Sequence, residues 1–324
     1  MNALPKLDLG LPLLGAAPPA LMRDLAARRH IDISGAFTPA GGYAFANEAG
    51  FRKLYQMLAT LPSGPADYIR LLGAVLEDCI ASNVIYCEIR IEPALVSGGD
   101  LSAWKDLVAA LGEVAHRAVS EISFRLVALC PRELGPDLGR RAALCAAETA
   151  GDLVTGFAIG GDETIGTLKD HAWAFDCARE ARLGLVAEAA TALGPTAIRD
   201  TLKALSPARI DGAVQVIRDP ALVEDLAERG VLLNLSPAAD IAFGRAKGWR
   251  AHPAGELYHR GAKIGLSAGP AAFFGISQAR ICENLHRASD WDEGVFTSLA
   301  KAAADAAFCD KATRERLHAR LNSV

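Results

Sequence analysis

Acidic side chains lie where short apolar runs of this sequence come to an end. Glu188 and Asp211 each close such a run, and Asp162 and Glu163 follow directly after Gly161. A carboxylic acid with a suitable pKa can transfer protons, and clustered carboxylates are the ligands that Mg²⁺ or Ca²⁺ prefers. Because glycine has no Cβ, the backbone at Gly161 can approach a flat ligand closely. These five residues are the predicted ligand-binding set.

The apolar runs that precede these residues are rich in Val, Ile and Leu and alternate with helical stretches. This rhythm is typical of parallel strands joined by crossover helices. We count roughly eight runs, which predicts an α/β fold of the (β/α)8 TIM-barrel type, with functional groups at the C-terminal strand ends. The predicted strands are Leu7–Leu13, Val84–Pro93, Ser123–Pro131, Leu153–Asp162, Leu183–Ala189, Ala208–Val216, Val231–Pro237 and Ala262–Ser267.

Helical apolar spacing covers the segments between the predicted strands, among them Leu101–Ser120 and Pro220–Arg229. The stretch Pro19–Ser82 is too long for one crossover, so we expect extra helices after the first strand that cap the barrel mouth. Two more helices are expected over Ser289–Val324. The sequence contains no repeat and no Pro/Ser-rich linker, so we predict a single domain over residues 1–324.

The composition limits the classes of molecule that this protein is expected to bind. The chain has 324 residues, 51% hydrophobic and 22% charged, with a net charge of −4 and no Lys/Arg block, which disfavours nucleic acid and membrane surfaces. No apolar run reaches the roughly 18 residues of a membrane span.

An odd number of scattered cysteines without a CxxC pattern indicates reduced thiols, and we expect a cytoplasmic protein. They are Cys79, Cys87, Cys130, Cys145, Cys177, Cys282 and Cys309.

Four segments, in order along nearly the whole chain, resemble the signatures of the adenosine deaminase family, within the metal-dependent hydrolase superfamily. YCEIRIEPAL at Tyr86–Leu95 is similar to the family's Tyr-x-Glu-x-Arg-x-x-Pro, and GFAIGGDETIG at Gly156–Gly166 to its Asp-Leu-x-Gly-Asp-Glu segment. HPAGEL at His252–Leu257 and IGLSAGPAAFFG at Ile264–Gly275 resemble its His-Pro helix start and Thr-Asp-Asp-Pro strand end. The resemblance implies a zinc-bound water that attacks a purine carbon, and a Glu that protonates the ring.

The positions that match the family's zinc site carry other residues in this chain. The resemblance places Gly10, Pro12, Leu185 and Gly269 at the metal-ligand positions, and Gly212 at the position of the histidine that activates water. None of these side chains is a zinc ligand. The segment LVAEAA keeps Glu188 at the position of the proton donor, which makes it the predicted catalytic residue. We therefore expect a divergent member without a zinc cofactor.

Three functions are compatible with this pattern. The first is a pseudoenzyme that is not an active catalyst, keeps part of a purine or nucleoside pocket around Gly161 and Glu188, and has a binding or regulatory role. It would act as a homo-oligomer or beside an active paralogue. The alternative is a hydrolase or deaminase acting on a nucleoside-like small molecule by a zinc-independent or altered-metal mechanism. A conventional zinc adenosine deaminase is the least favoured.

Several conspicuous residues also have structural interpretations. Glu88 and Arg90 alternate on one face of the second strand, so an internal ion pair between them is expected rather than catalysis. Phe273 and Phe274 are expected to pack in the core. His252, just before Pro253, is expected to form the turn that begins a helix. Asp211 is the acidic residue next to a lost family histidine, which makes it the strongest position for an altered metal site.

Overall fold

The computed structural model describes residues 1–118 and 120–323. Eight parallel strands form one sheet in which each strand pairs with the next along the chain. Each strand falls on its predicted run, except that the first begins one residue earlier, so the predicted α/β barrel is confirmed. Strands β1 to β8 span Lys6–Pro12, Val84–Ile91, Ser123–Pro131, Val154–Gly160, Gly184–Ala189, Arg209–Gly212, Leu232–Leu235 and Ile264–Leu266.

Asp8 joins the last strand to the first. Its carboxylate, on β1, accepts hydrogen bonds from Ser267 Oγ (2.6 Å) and from the backbone N–H of Ala268 (2.7 Å), immediately after β8. The side chain is fully buried, and burial raises its pKa to about 6 against the opposing effect of these hydrogen bonds. The two ends of the sheet are thereby held together beneath the barrel mouth.

Helices surround the sheet, and three of them, α1 to α3, lie between β1 and β2 as predicted. The crossover helices begin and end close to the predicted positions: Leu101–Ala118 replaces Leu101–Ser120, and Pro220–Glu228 replaces Pro220–Arg229. The two helices expected over Ser289–Val324 are present as Glu293–Ala306 and Lys311–Asn322. Helices α1 to α15 are Pro19–Arg28, Glu48–Leu58, Pro65–Ala81, Pro93–Val96, Leu101–Ala118, Gly135–Glu148, Ala172–Glu180, Thr196–Leu205, Pro220–Glu228, Pro237–Ala242, Ala254–His259, Ala271–Phe274, Gln278–Ala288, Glu293–Ala306 and Lys311–Asn322. Short 3-10 helices cover Ser34–Ala36, Arg132–Leu134, Leu168–His171, Val214–Arg218 and Trp249–Ala251.

An aromatic cluster covers the barrel mouth. Phe51 and Tyr55 on α2 pack against Phe273 on α12, with ring centroids 4.9 Å and 6.1 Å apart, and Phe274 stacks on Phe51. The expectation that Phe273 and Phe274 pack in the core is confirmed. Such aromatic contacts stabilise the protein beyond the area they bury. The cluster fixes α2 over the strand ends.

Phe308, just after α14, fills the opposite end of the barrel. Its ring lies against the guanidinium of Arg209 (4.3 Å) and packs with the interior cluster formed by Val127, Ala158 and Val186. A Cβ at Gly184 would overlap this ring, so glycine is required there for Phe308 to enter. Every helix in the described part of the chain is too short or too polar to cross a membrane.

Candidate active site

A cavity of about 230 Å³ opens at the C-terminal ends of the strands, where a (β/α)8 barrel carries its functional groups. Three of the predicted residues, Gly161, Glu188 and Asp211, line it. Its apolar wall comes largely from α2 and from the loops after the strands. The polar groups around it converge from different elements: Glu48, Arg52, Tyr55, Arg90, Glu92, Glu133, Asp240 and Arg245.

Glu188 lies near the end of β5 and points into the cavity, where it is half-buried. Its Oε2 accepts a hydrogen bond from the backbone N–H of Gly161 (3.3 Å). Burial raises the pKa of the Glu188 carboxyl above its ordinary value, while the positive charges of Arg245 and Arg90 oppose that shift. A raised pKa favours the protonated carboxyl, which is the form that can donate a proton to a bound base.

Gly161 follows β4 in a left-handed conformation (φ +93°) that favours glycine. A Cβ at this position would overlap the Glu133 carboxylate. The absence of a side chain therefore keeps the backbone open to both Glu188 and the cavity. The predicted role of this glycine, close approach of the backbone to a flat ligand, remains a prediction.

Arg90 and Asp211 form an ion pair across the interior of the barrel mouth, and Glu88 pairs with Arg209 one layer below. The expected pair between Glu88 and Arg90 is therefore wrong. Residues two apart on a strand are separated by about 7 Å along its axis, so they belong to different layers of the interior. In each layer the β2 side chain meets its partner on β6.

Asp162 and Glu163 do not line the cavity. The Asp162 carboxylate accepts hydrogen bonds from the backbone N–H (2.9 Å) and hydroxyl (2.6 Å) of Thr164, which closes the loop on itself. Glu163 is buried, and its carboxylate accepts hydrogen bonds from Thr191 and from the backbone N–H of Leu193 (3.3 Å). Both residues order the loops after β4 and β5. Their ligand contacts remain a prediction.

Four of the positions matched to the family's metal and water-activating groups, Gly10, Pro12, Gly212 and Gly269, line the cavity, whereas Leu185 is buried in the main core. The space beside Gly10 is occupied. A Cβ there would lie 2.7 Å from Asn234 Nδ2 and 3.1 Å from Ser267 Oγ. A Cβ at Gly212 would overlap the side chain of Thr191. Polar neighbours thus fill the room that larger side chains would need.

The fit to a zinc ion can be tested on the cavity's own donor atoms. Zinc sites in proteins combine three or four histidine, cysteine or carboxylate ligands. Over residues 1–118 and 120–323, no group of three or more His, Cys, Asp or Glu side chains is arranged to hold a metal ion. Asp211 is engaged in an ion pair with the guanidinium of Arg90. These residues do not fit the zinc that the resemblance implies.

Glu92 is the site residue that the sequence analysis did not single out. It follows β2 directly, and its side chain is 2% exposed at the cavity wall. Oε1 accepts a hydrogen bond from Tyr55 Oη (2.7 Å), whereas Oε2 receives none from any other described residue. Burial raises the pKa of Glu92 to about 7, although the Tyr55 hydrogen bond, a hydrogen bond from its own backbone N–H and the charge of Arg90 oppose it. The sequence feature that could have identified Glu92 as a site residue is its position at a predicted strand end, directly before Pro93.

The raised pKa of Glu92 predicts a pH-dependent stability. The ordinary pKa of 4.5 applies to the unfolded chain and about 7 to the folded protein, so between these values only the folded protein keeps the proton. Its contribution is therefore complete below pH 4.5 and lost as the pH rises through 7, by about 3 kcal/mol. Glu92→Gln should raise the free energy of unfolding at about pH 8 and have little effect at about pH 4 in denaturant titrations. Equal effects at both values would contradict the assignment.

Charged residues on the outer rim come from elements that the sequence pattern could not bring together. Arg52 on α2 pairs with Glu48 (2.8 Å) and Glu133 (2.7 Å), and Arg245 also contacts Glu48 (2.7 Å). Asp240 lies within 3.6 Å of Arg245. This network fixes the helix over the mouth to the loops of the barrel.

His252 is placed as expected from its position before Pro253. Its Nδ1 accepts a hydrogen bond from the backbone N–H of Ala254 (3.2 Å), the first residue of α11. Nε2 lies 3.1 Å from Asp240. The histidine is buried in a structural role at a helix start, and its prediction is confirmed.

The chain is a (β/α)8 barrel with ionisable side chains around a cavity at the C-terminal strand ends. Its sequence matches the family model described as adenosine deaminase over residues 5–324, and the chain belongs to that family. Two curated relatives are named adenine deaminase. The one from Agrobacterium fabrum is 34% identical over 322 residues, and the one from Rhizobium leguminosarum bv. trifolii is 33% identical over 321 residues; each alignment covers 98% of this chain and at least 98% of the relative.

Solved structures share the fold at lower identity. An adenine deaminase from Arthrobacter aurescens superposes with a TM-score of 0.88 at 20% identity, and the match covers 99% of each chain. An amidohydrolase from Burkholderia ambifaria, crystallised with bound Zn, gives 0.87 at 22% identity over 99% of this chain and 90% of its own. An Arabidopsis ADAL protein complexed with GMP gives 0.87 at 19% identity over 99% and 97%.

These findings correct two expectations. The pseudoenzyme interpretation is wrong, because full-length relatives at 33–34% identity are named as deaminases and the structural neighbours are deaminases too. The expectation that no cofactor takes part is also contradicted, because the chain belongs to the adenosine deaminase family and its full-length relatives are named adenine deaminase. A structural neighbour was crystallised with bound Zn. The cavity residues of this chain still do not fit that ion, so none of the chemistry below is derived through a metal.

Proposed function

We propose that this protein is a hydrolytic deaminase of a free purine base, with adenine as the first substrate to test. The observation that carries the proposal is the Glu188 carboxyl, held by the Gly161 N–H inside a cavity at the strand ends. The full-length relatives named adenine deaminase support the same reaction class. Purine ligands in a structural neighbour support the chemical class of the ligand.

The size of the cavity favours a base over a nucleoside or nucleotide. Its volume of about 230 Å³ is below the roughly 300–1,000 Å³ that is usual for larger ligands. The aromatic cluster on α2 and α12 limits expansion toward the mouth. A flat, unsubstituted ring is the ligand that such a space accepts most readily.

The proposed reaction adds water to the ring carbon that bears the amino group and releases ammonia, which leaves a carbonyl on the base. Glu188, whose pKa is raised by burial, donates its proton to the adjacent ring nitrogen as the water attacks. Asp211, the neighbour of Glu188 in the β5–β6 register, accepts the proton of the attacking water and passes it to the amino nitrogen that leaves as ammonia. Glu188 regains its proton from the new hydroxyl group, which becomes the carbonyl. The ion pair of Asp211 with Arg90 fixes the direction of the Asp211 carboxylate.

The test is a direct assay of ammonia release by the full-length protein. Adenine, adenosine and AMP are incubated with protein as isolated, after chelation, and after addition of Zn²⁺, Mn²⁺, Fe²⁺ or Mg²⁺, and metal content is measured in parallel. We expect ammonia and the corresponding oxo-purine from adenine in preference to adenosine and AMP. Failure of every preparation to deaminate any purine base would disprove the proposal.

A further inference from the structure

Glu92, at the wall of the cavity, has a buried carboxylate oxygen without a hydrogen-bond partner. Its Oε2 is buried and receives no hydrogen bond from another described residue, although the side chain lines the cavity. Leaving a buried polar atom without a partner is unfavourable, and a ligand group that supplies the missing hydrogen bond removes that cost. The orphaned oxygen therefore points to a donor group on the ligand.

The orientation of this oxygen is fixed by its neighbours. Tyr55 donates to Oε1 (2.7 Å), so the second oxygen is the one left for a ligand. Arg90, two residues earlier on the same strand, keeps its guanidinium on Asp211. Glu92 is also the residue just before α4, and its side chain makes no capping hydrogen bond to that helix. No other described residue donates a hydrogen bond to Oε2.

Glu92 and Glu188 occupy nearly opposite sides of the barrel mouth. Glu188 lies on β5, and Glu92 follows β2, three strands away in a ring of eight. A purine whose reacting carbon lies at Glu188 turns its other edge, the five-membered ring, away from that residue. The N–H of this ring is the donor that such an edge offers. It is present in a free base and absent when the same nitrogen carries a sugar.

We propose that Glu92 is the specificity-determining residue that accepts the azole N–H of a free purine base and thereby excludes N9-substituted purines. This inference rests on the proposed function for the orientation of the ring. The physical basis is that a site built to accept a hydrogen bond discriminates against an analogue that lacks the donor, because its buried acceptor is then left unpaired. A substituent at N9 would in addition meet the Glu92–Tyr55 wall.

The test compares two ligands that carry no leaving group, so that binding is measured without turnover. Purine and 9-methylpurine are titrated into the full-length protein by calorimetry at about pH 8, where the Glu92 carboxylate is ionised. The ionisable and charged groups around Glu92 at this pH are Tyr55, Tyr68 and Arg90. We expect purine to bind at least roughly tenfold more tightly than 9-methylpurine, as a charge-assisted hydrogen bond requires.

Variants separate the role of Glu92 from a general change of the cavity. Glu92→Leu should bring the two affinities to within about twofold, and Glu92→Gln should reduce their ratio at least roughly threefold because a neutral amide oxygen is a weaker acceptor. Tyr68→Phe, which removes a buried hydroxyl outside the cavity, should keep the wild-type ratio. Thermal unfolding checks that each variant is folded. If Glu92→Leu does not fold, the affinity ratio of Glu92→Gln tests the role of Glu92.

The outcomes distinguish this inference from the proposed function. Equal binding of the two ligands to the wild-type protein, no binding of either, or an unchanged ratio in both Glu92 variants would overturn the role of Glu92. Turnover of adenine together with any of those results would leave the deaminase proposal intact. Selective binding of purine without ammonia release from any base would instead refute the deaminase proposal and keep Glu92 as the recognition residue.

Discussion

Replacement of Glu188 by glutamine is expected to reduce turnover of adenine by at least about a hundredfold, with a much smaller effect on KM. Proton transfer by a positioned side chain typically contributes a factor of roughly 10²–10⁴. Glutamine keeps the shape of the side chain and can still accept the Gly161 N–H, but it has no proton to transfer. The measurement is the steady-state rate of ammonia release, with purine binding by calorimetry to show that the cavity is intact.

A matched control is Glu256→Gln. Glu256 is a carboxylate on the exposed surface of α11 that pairs with Arg260 (2.8 Å) far from the strand ends. This variant should keep the wild-type rate. A Glu188→Gln enzyme that turns over as fast as the control would show that Glu188 is not the proton donor, whatever the substrate.

The pH dependence of the deamination rate should also reveal the role of the Glu188 carboxyl. Because burial raises the pKa of Glu188, its acidic form persists to higher pH than that of an exposed glutamate, and the rate should fall as the pH rises above that pKa. The corresponding descending limb should disappear from the residual activity of the glutamine variant.

The strand positions and three cavity residues could be predicted from the sequence because each depends on local pattern. Runs of Val, Ile and Leu bounded by glycine or proline define the strands, and a strand end in a barrel defines the site. Gly161, Glu188 and Asp211 follow from that rule. Asp162 and Glu163 satisfy the same rule, yet their carboxylates turn into hydrogen bonds of their own loops.

Contacts between distant elements could not be predicted in the same way. Tyr55, which orients Glu92, comes from the helices inserted after β1, and no periodicity reveals which face of α2 meets the cavity. The Glu88–Arg90 error has a related cause, because the spacing on one strand says nothing about the strand across the barrel. Glu92 differs from Tyr55 because its position at a strand end can be read from the sequence. Only the unpaired oxygen in the structure indicates that a ligand could contact it.

The structure also changes how the glycines at the matched metal positions are interpreted. From the sequence alone, Gly10 and Gly212 were interpreted as the loss of a metal ligand and of a water-activating histidine. In the structure, Asn234 and Ser267 fill the space beside Gly10, and Thr191 fills the space beside Gly212. Polar side chains thus occupy the space beside these two glycines, and the chemistry of the cavity has to be tested on this chain rather than transferred from the zinc geometry of relatives.

Removal of the Glu88 carboxylate is expected to destabilise the fold strongly. Glu88 and Arg209 are both fully buried, and the carboxylate also accepts the backbone N–H of Phe308 (2.7 Å). Breaking a buried pair leaves one charge uncompensated, which costs about 3–5 kcal/mol. Glu88→Leu should therefore lower the free energy of unfolding by this amount in equilibrium denaturation with urea.

The matched double variant tests whether the loss comes from the stranded charge. In Glu88→Leu/Arg209→Met, no uncompensated charge remains, and apolar pairs of similar volume often replace buried ion pairs at little cost. Some loss should persist, because Arg209 also donates to the carbonyls of Ala306 (3.0 Å) and Leu9 (3.3 Å). We expect the double variant to be clearly more stable than Glu88→Leu. If it is less stable, the pair itself, rather than the isolated guanidinium, holds Phe308 and the lower end of the barrel together.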